Sequence, residues 1–168
     1  SASYQDEWLM EGLASYMSLM LLEKKKGRKA FNDVLEEYRD HLLSKDEQER
    51  TIESAGPIVW GARLLTSQTP QAWRTITYEK GSWIVHMLRV RLGDAAFDKM
   101  LGEVVRRYRY KTVTTEGFRA VAAEFMPRGS DDPKLEAFFE QWVYGTGIPT
   151  LKLAHSVAGK SPKIRLRG

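Results

Sequence analysis

A carboxylate inside an apolar run is the first chemical oddity of this 168-residue sequence. Glu11 lies within WLMEGLASYM (8–17), whose apolar residues recur at helical spacing and predict a largely buried helix. Because burying an unpaired carboxylate is unfavourable, Glu11 needs a cation, a metal ion or hydrogen-bond donors. Gly12 and Ala14 follow it, and such small residues let another backbone approach closely. Spacing alone leaves open a salt bridge to a buried arginine and a helix-end charge that complements the helix dipole.

Tyr78 is the second candidate for chemistry, in the stretch TYEKGSWIVHML (77–88). A tyrosine hydroxyl near a metal can donate a hydrogen bond to a developing oxyanion. The alternative is a tyrosine at the edge of the core with its hydroxyl at the surface. His41, His86 and His155 are scattered, and no pair has the i, i+4 spacing of a zinc-binding helix. We therefore interpret the histidines as structural.

Composition excludes several classes of protein. Hydrophobic residues make up 42% of the chain and aromatic residues 11%, which predicts one folded domain with a sizeable core. The absence of cysteine excludes disulfide frameworks and thiolate metal sites. Charges of both signs are interspersed around a net charge of +4, and VVRRYRYK (104–111) is better interpreted as the exposed end of a helix than as a nucleic-acid site. No run approaches the roughly 20 apolar residues of a membrane span.

Helical periodicity extends over most of the first 148 residues. Apolar spacing predicts helices within 6–26, 28–44, 71–92, 92–111, 112–125 and 134–147. We expect the helix in 71–92 to break or start late around Tyr78, and Asp94 to be the N-cap of the next helix. After Pro149 apolar and polar residues alternate, which predicts one or two β-strands. The predicted fold class is thus mainly α, with strands at the C-terminus.

Three segments carry a resemblance to one known family. DEWLMEGLASY (6–16) resembles the W-L-x-E-G-F-A-x-Y segment of the aminopeptidase N family of zinc metallopeptidases, which are gluzincins. ITYEKGSWIVHMLR (76–89) resembles the family's Y-x-K-G segment, and FFEQWVYGTGIPTL (138–151) resembles the end of its helical catalytic region. The segments follow the family's order across essentially the whole chain. The resemblance implies that residues 1–148 are the helical C-terminal half of a thermolysin-like catalytic domain and that 149–168 begin a β-sandwich domain.

The resemblance also implies residue roles. In the family, two histidines of an H-E-x-x-H helix and a glutamate on the next helix hold zinc, and that glutamate matches Glu11. The Y-x-K-G tyrosine, which stabilises the tetrahedral oxyanion, matches Tyr78. The implied function is zinc-dependent hydrolysis of N-terminal residues from peptides. Because the H-E-x-x-H helix would precede Ser1, we expect a fragment that binds no zinc and is inactive alone.

Some features of the family are missing from this sequence. Met10 replaces a frequent Asn or Ser, Leu13 a Phe, and Ser18 a second glutamate. The G-x-M-E-N segment that recognises a substrate's amino group is also absent. The alternative hypothesis is a non-catalytic helical binding module, and the residues upstream in the natural protein would discriminate the two.

Two expectations concern geometry. A zinc ligand and an oxyanion donor serve one intermediate, so the side-chain oxygens of Glu11 and Tyr78 should lie within about 10 Å and face one concavity. Loss of the upstream helix should also expose an apolar patch, for which we predict Leu9, Leu13 and Trp83, and through which copies of the fragment could associate.

Overall fold

A long helix, α1 (Glu7–Lys26), lies against several other elements of the helical body. The computed structural model describes residues 3–149 and the strand segments 152–158 and 161–167. α1 follows a 3-10 turn (Tyr4–Asp6) and ends at Gly27, whose φ of 87° is unstrained only for glycine. Three lysines in its last turn complement the helix dipole. The sequence prediction of a helix over 6–26 is therefore confirmed.

The remaining helices complete the helical body, some packed directly on α1 and others on one another. α2 (Arg28–Leu43) packs on α1 and is followed by 3-10 segments, and α5 and α6 continue the body after the helix that carries Tyr78. The bounds of the elements after α2 are 3-10 helices Ile52–Ala55 and Ile58–Thr66, α3 (Ala72–Arg74), a π-helix Thr75–Lys80, α4 (Gly81–Leu92), α5 (Asp94–Tyr108), α6 (Thr115–Ala123), α7 (Glu136–Phe139) and a π-helix Glu140–Tyr144. The helical prediction is confirmed for the body.

Regular α-helical hydrogen bonding is interrupted around Tyr78, and the long α-helix α4 starts only at Gly81, which agrees with the predicted break or late start. Arg74, Lys80 and Gly81 all have right-handed helical backbone angles, so the chain is helical where α3 and α4 join the stretch between them. Between them the hydrogen bonding widens to a π-helix over Thr75–Lys80. Such π segments are rare and are frequent at functional sites.

The hydrophobic core lies between α1 and the helices around it. Its largest fully buried side chains are Trp8, Tyr16, Phe31, Phe97, Phe118 and Phe139. Asp94 is the first residue of α5 and makes no capping hydrogen bond. Instead its carboxylate accepts from the Arg89 guanidinium at 2.8 and 3.1 Å, so the predicted N-cap at Asp94 is wrong. An arginine side chain within reach competes better for a carboxylate than a backbone N–H does.

The C-terminal strands form a hairpin. β1 (Lys152–Ala158) pairs antiparallel with β2 (Ser161–Arg167), with Lys152 opposite Arg167. The prediction of strands after Pro149 is confirmed, whereas the assignment of 149–168 to a separate β-sandwich domain stays a prediction. Within the described residues, no helix is both long enough and apolar enough to cross a membrane.

Candidate active site

Two glycines bring α1 and the start of α4 together. A Cβ atom added to Gly12 would lie 2.9 Å from the Cα of Gly81, and one added to Gly81 would lie 2.9 Å from the Cα of Gly12. Side chains on either residue would therefore clash with backbone. The expectation that small residues beside Glu11 admit another backbone is confirmed at this crossing.

The crossing places Glu11 beside Tyr78. The pKa of Tyr78 is raised, first because partial burial disfavours the phenolate and next because the phenol interacts with the Glu11 carboxylate. The structure thus brings the two predicted site residues together. Both are partly exposed, which leaves them accessible to a metal ion or a substrate.

Glu11 does not take part in the ion pairs of the described residues. The buried Arg89, the kind of partner that a structural role would require, pairs with Glu23 and Asp94. The buried Lys80 pairs with Glu53. The salt-bridge alternative for Glu11 therefore finds no support in the described part of the chain.

The π segment exposes Tyr78 and buries its neighbours. Within Thr75–Lys80, every residue except Tyr78 is buried, including the charged Glu79 and Lys80. The Tyr78 ring lies edge-on to Trp73 with ring centroids 5.8 Å apart. Trp73 is itself held by its indole N–H, which donates to Glu7 at 3.3 Å. The phenol is therefore presented from a well-packed turn.

Sequence reasoning missed a buried ion pair next to Tyr78. Lys80 Nζ lies 2.7 Å from Glu53 Oε1, and both side chains are at most 4% exposed. Glu53 also accepts from the backbone N–H of Gly147 at 2.9 Å. The available signal was a lysine directly before a glycine and a strongly apolar stretch. Nothing in the sequence pattern pointed to Glu53 as its partner.

Two of the three histidines contact protein groups. His86 shares a hydrogen bond of 2.9 Å with the Tyr16 hydroxyl, and His41 lies 3.0 Å from the Glu79 carboxylate. Burial is the main reason why the pKa of His86 is lowered. His155 lies in β1, and its side chain is outside the described residues. The contacts of His41 and His86 fit structural roles.

The ligand chemistry at this site is carboxylate oxygen, from Glu11 and, one turn earlier on α1, from Glu7, which also acts on the Tyr78 phenol. Among residues 3–149 and the two strand segments, no three His, Asp or Glu side chains come together to hold a metal ion. A catalytic zinc takes three protein ligands. Glu11 fits one of those positions, since its carboxylate is accessible and is not neutralised by a cation.

The exposed apolar patch differs from the prediction. Leu9 is only 2% exposed, and Leu13 and Trp83 are half-buried. Each residue along a helix turns the side chain by about 100°, so Leu9 points into the core although its neighbour does not. The apolar side chains of α1 that are more than half exposed are instead Met10, Met17 and Leu21.

Known proteins of two kinds are similar in sequence to this chain. Leucine aminopeptidase 2-2 of Meyerozyma guilliermondii is 26% identical over 164 residues, which cover 89% of this chain and 26% of that protein. Transcription initiation factor TFIID subunit 2 of Saccharomyces cerevisiae is 23% identical over 96% of this chain and 11% of its own length. The chain thus spans about a quarter or less of these relatives.

A solved structure shares the fold. It is a mutant M1 zinc metallopeptidase from Deinococcus radiodurans bound to a Tyr-Ser-Ala substrate, with a TM-score of 0.67 and 21% identity. The match covers 89% of this chain and 30% of that one. The sequence model of one protein family, described as the peptidase family M1 domain, matches residues 1–142 of this chain. The chain therefore belongs to peptidase family M1.

Proposed function

We propose that the natural protein carrying this chain is a zinc-dependent aminopeptidase that removes N-terminal residues from peptides. In this proposal Glu11 is a metal ligand and Tyr78 donates to the oxyanion. The observation that carries it is the Gly12–Gly81 crossing, which places the Glu11 carboxylate near enough to the Tyr78 phenol to contribute to its raised pKa. Membership of the family and the aminopeptidase names of relatives support it.

The chemistry of Glu11 fits a zinc ion. Its carboxylate is partly exposed, and carboxylate oxygen is a normal zinc ligand. Zinc, when bound, would activate a water molecule and polarise the peptide carbonyl. We expect the remaining ligands from another segment of the natural protein. The exposed stripe of Met10, Met17 and Leu21 on α1 supports this, since such a surface is typical of a packing site.

Tyr78 is suited to stabilise the charge that develops on the substrate. As water attacks the carbonyl carbon, the carbonyl oxygen becomes negative and needs a donor at hydrogen-bond distance. A tyrosine phenol is protonated at neutral pH, and the upward direction of the pKa shift of Tyr78 does not change this, so the phenol can donate. Trp73 restricts the tyrosine ring, which reduces the reorganisation needed when the oxyanion forms.

The test uses the full-length natural protein and aminoacyl 4-nitroanilide substrates. Tyr78→Phe should lower kcat by about 10²- to 10³-fold and change KM little, because the lost donor acts in the transition state. Tyr144→Phe is the matched control, since Tyr144 is also a partly exposed phenol that donates to a carboxylate, that of Glu116. Wild-type kcat in Tyr78→Phe would refute the role of Tyr78.

The metal role of Glu11 has its own measurement. Glu11→Gln should lower the zinc content of the dialysed full-length protein, because an amide is a weaker zinc ligand than a carboxylate. Glu36→Gln, at an exposed position on α2, is the control that should keep zinc. Full zinc content in Glu11→Gln would contradict the assignment. The 168-residue chain alone should hold no zinc after dialysis and should not hydrolyse these substrates.

A non-catalytic binding module is the second candidate function. It is favoured by one similar protein, which is named as a transcription initiation factor subunit rather than as a peptidase. A wild-type full-length protein that neither holds zinc nor hydrolyses aminoacyl nitroanilides would contradict the peptidase proposal and favour this alternative.

A further inference from the structure

Lys80, two residues after Tyr78 in the chain, forms an ion pair with Glu53 that is almost fully buried. The two charged groups are 2.7 Å apart, with side-chain exposures of 4% and 3%. A buried ion pair is often no more stabilising than apolar residues of the same volume. Its presence beside a candidate catalytic tyrosine therefore calls for a role other than overall stability.

The pair joins three separate parts of the chain. Glu53 belongs to the 3-10 turn Ile52–Ala55, and Lys80 is the last residue of the π segment. The Lys80 ammonium also reaches the carbonyl oxygen of Gly145 at 3.4 Å. The Glu53 carboxylate accepts from the N–H of Gly147 at 2.9 and 3.2 Å. The end of the π segment is thus linked by these contacts to the 3-10 turn that holds Glu53 and to the backbone of residues 145–147.

The orientation of the Tyr78 side chain depends on these contacts of the π segment. A π turn holds more residues per turn than an α turn and persists where surrounding contacts favour it. The buried side chains of Thr75–Lys80 supply such contacts, and among its charged members Glu79 meets His41 while Lys80 meets Glu53. Relaxation of the segment to α geometry would rotate Tyr78 about the helix axis and away from Glu11.

We propose that Lys80, through its ion pair with Glu53, is a positioning residue that locks the π segment and so directs the Tyr78 phenol toward Glu11. Lys80 itself is buried beneath the site and contacts neither Glu11 nor the phenol in this role. The catalytic part of this inference rests on the proposed peptidase function, whereas the structural part does not.

The first test is kinetic and uses the full-length natural protein. Removing both charges in Lys80→Met/Glu53→Gln avoids an unpaired buried charge and should preserve folding. We expect kcat to fall by about 10- to 100-fold, as a small misplacement of a catalytic group does, with KM nearly unchanged. Lys80→Arg keeps the cation and should retain more activity than the double variant. Arg107→Met/Glu124→Gln removes a pair between other helices and should keep wild-type kcat.

The second test does not depend on activity. In protein labelled with 5-fluorotryptophan, the ¹⁹F signal of Trp73, assigned with Trp73→Phe, reports on the adjacent Tyr78 ring. The double variant should move this signal toward its position in Tyr78→Leu, while the Arg107/Glu124 control leaves it in place. An unmoved Trp73 signal, or a folded double variant with wild-type kcat, would overturn the proposal. A wild-type protein without peptidase activity would refute the proposed function. The Trp73 signal would still decide whether Lys80 positions Tyr78.

Discussion

Gly12→Ala tests the crossing on which the candidate site depends. The new Cβ would lie 2.9, 3.0 and 3.3 Å from the Cα, carbonyl carbon and carbonyl oxygen of Gly81. These are backbone atoms, which cannot rotate away as a side chain can. α1 and α4 would have to move apart, and Tyr78 would move relative to Glu11.

Two opposing terms set the size of the effect. Alanine is favoured over glycine in a helix interior by up to about 1 kcal/mol. Overpacking of a tight contact costs about 1–3 kcal/mol, and a clash with rigid backbone belongs in the upper part of that range. We therefore expect a net loss of about 1–2 kcal/mol in the free energy of unfolding. For a chain of this size, each kcal/mol lowers Tm by about 2–4 °C.

The assay is urea denaturation of the 168-residue chain, followed by circular dichroism. Gly102→Ala is the matched control, since Gly102 lies within α5 and a Cβ there would meet no atom within 4 Å. That control should gain about 0.5–1 kcal/mol from helix propensity alone. If Gly12→Ala is stabilised like Gly102→Ala, α1 and α4 do not approach each other this closely, and the proposed geometry of the site is refuted.

Two further predictions concern a buried carboxyl and a helix cap. Burial raises the pKa of Glu79 above its ordinary value of 4.5 despite the hydrogen bond from His41, so its contribution to stability is fully present below pH 4.5 and is lost as pH rises through the raised value. Glu79→Gln should remove this part of the pH dependence, measured by urea denaturation across that range, and an unchanged profile would contradict it. Thr114 caps α6 by accepting from the N–H of Gly117 at 3.0 Å. Thr114→Ala should therefore cost about 1 kcal/mol, whereas Thr112→Ala, at an exposed position outside the helix, should not.

Local rules predicted the helices well and failed where a side-chain partner, near or far along the chain, intervenes. The predicted ranges 6–26 and 28–44 match α1 (Glu7–Lys26) and α2 (Arg28–Leu43) because apolar spacing and Gly27 determine them locally. The π geometry of Thr75–Lys80 was not predicted, since it depends on partners elsewhere in the chain. The capping role expected of Asp94 was lost to the side chain of Arg89, only five residues away, because a charged donor within reach competes better for the carboxylate than a backbone N–H does.

The sequence by itself determined the helical class, the change to strands after Pro149, and the singling out of Glu11 and Tyr78 as residues with unusual chemistry. These follow from periodicity and from residue type, which need no knowledge of neighbours in space. Residue pattern alone did not bring Glu11 to Tyr78, whose proximity was expected only through the family resemblance, and tertiary structure alone decided that Lys80 pairs with Glu53, 27 residues away. Periodicity indicates which face of a helix is buried, but the packing of whole helices selects the neighbour, and here the contact of Gly12 with Gly81 made that selection.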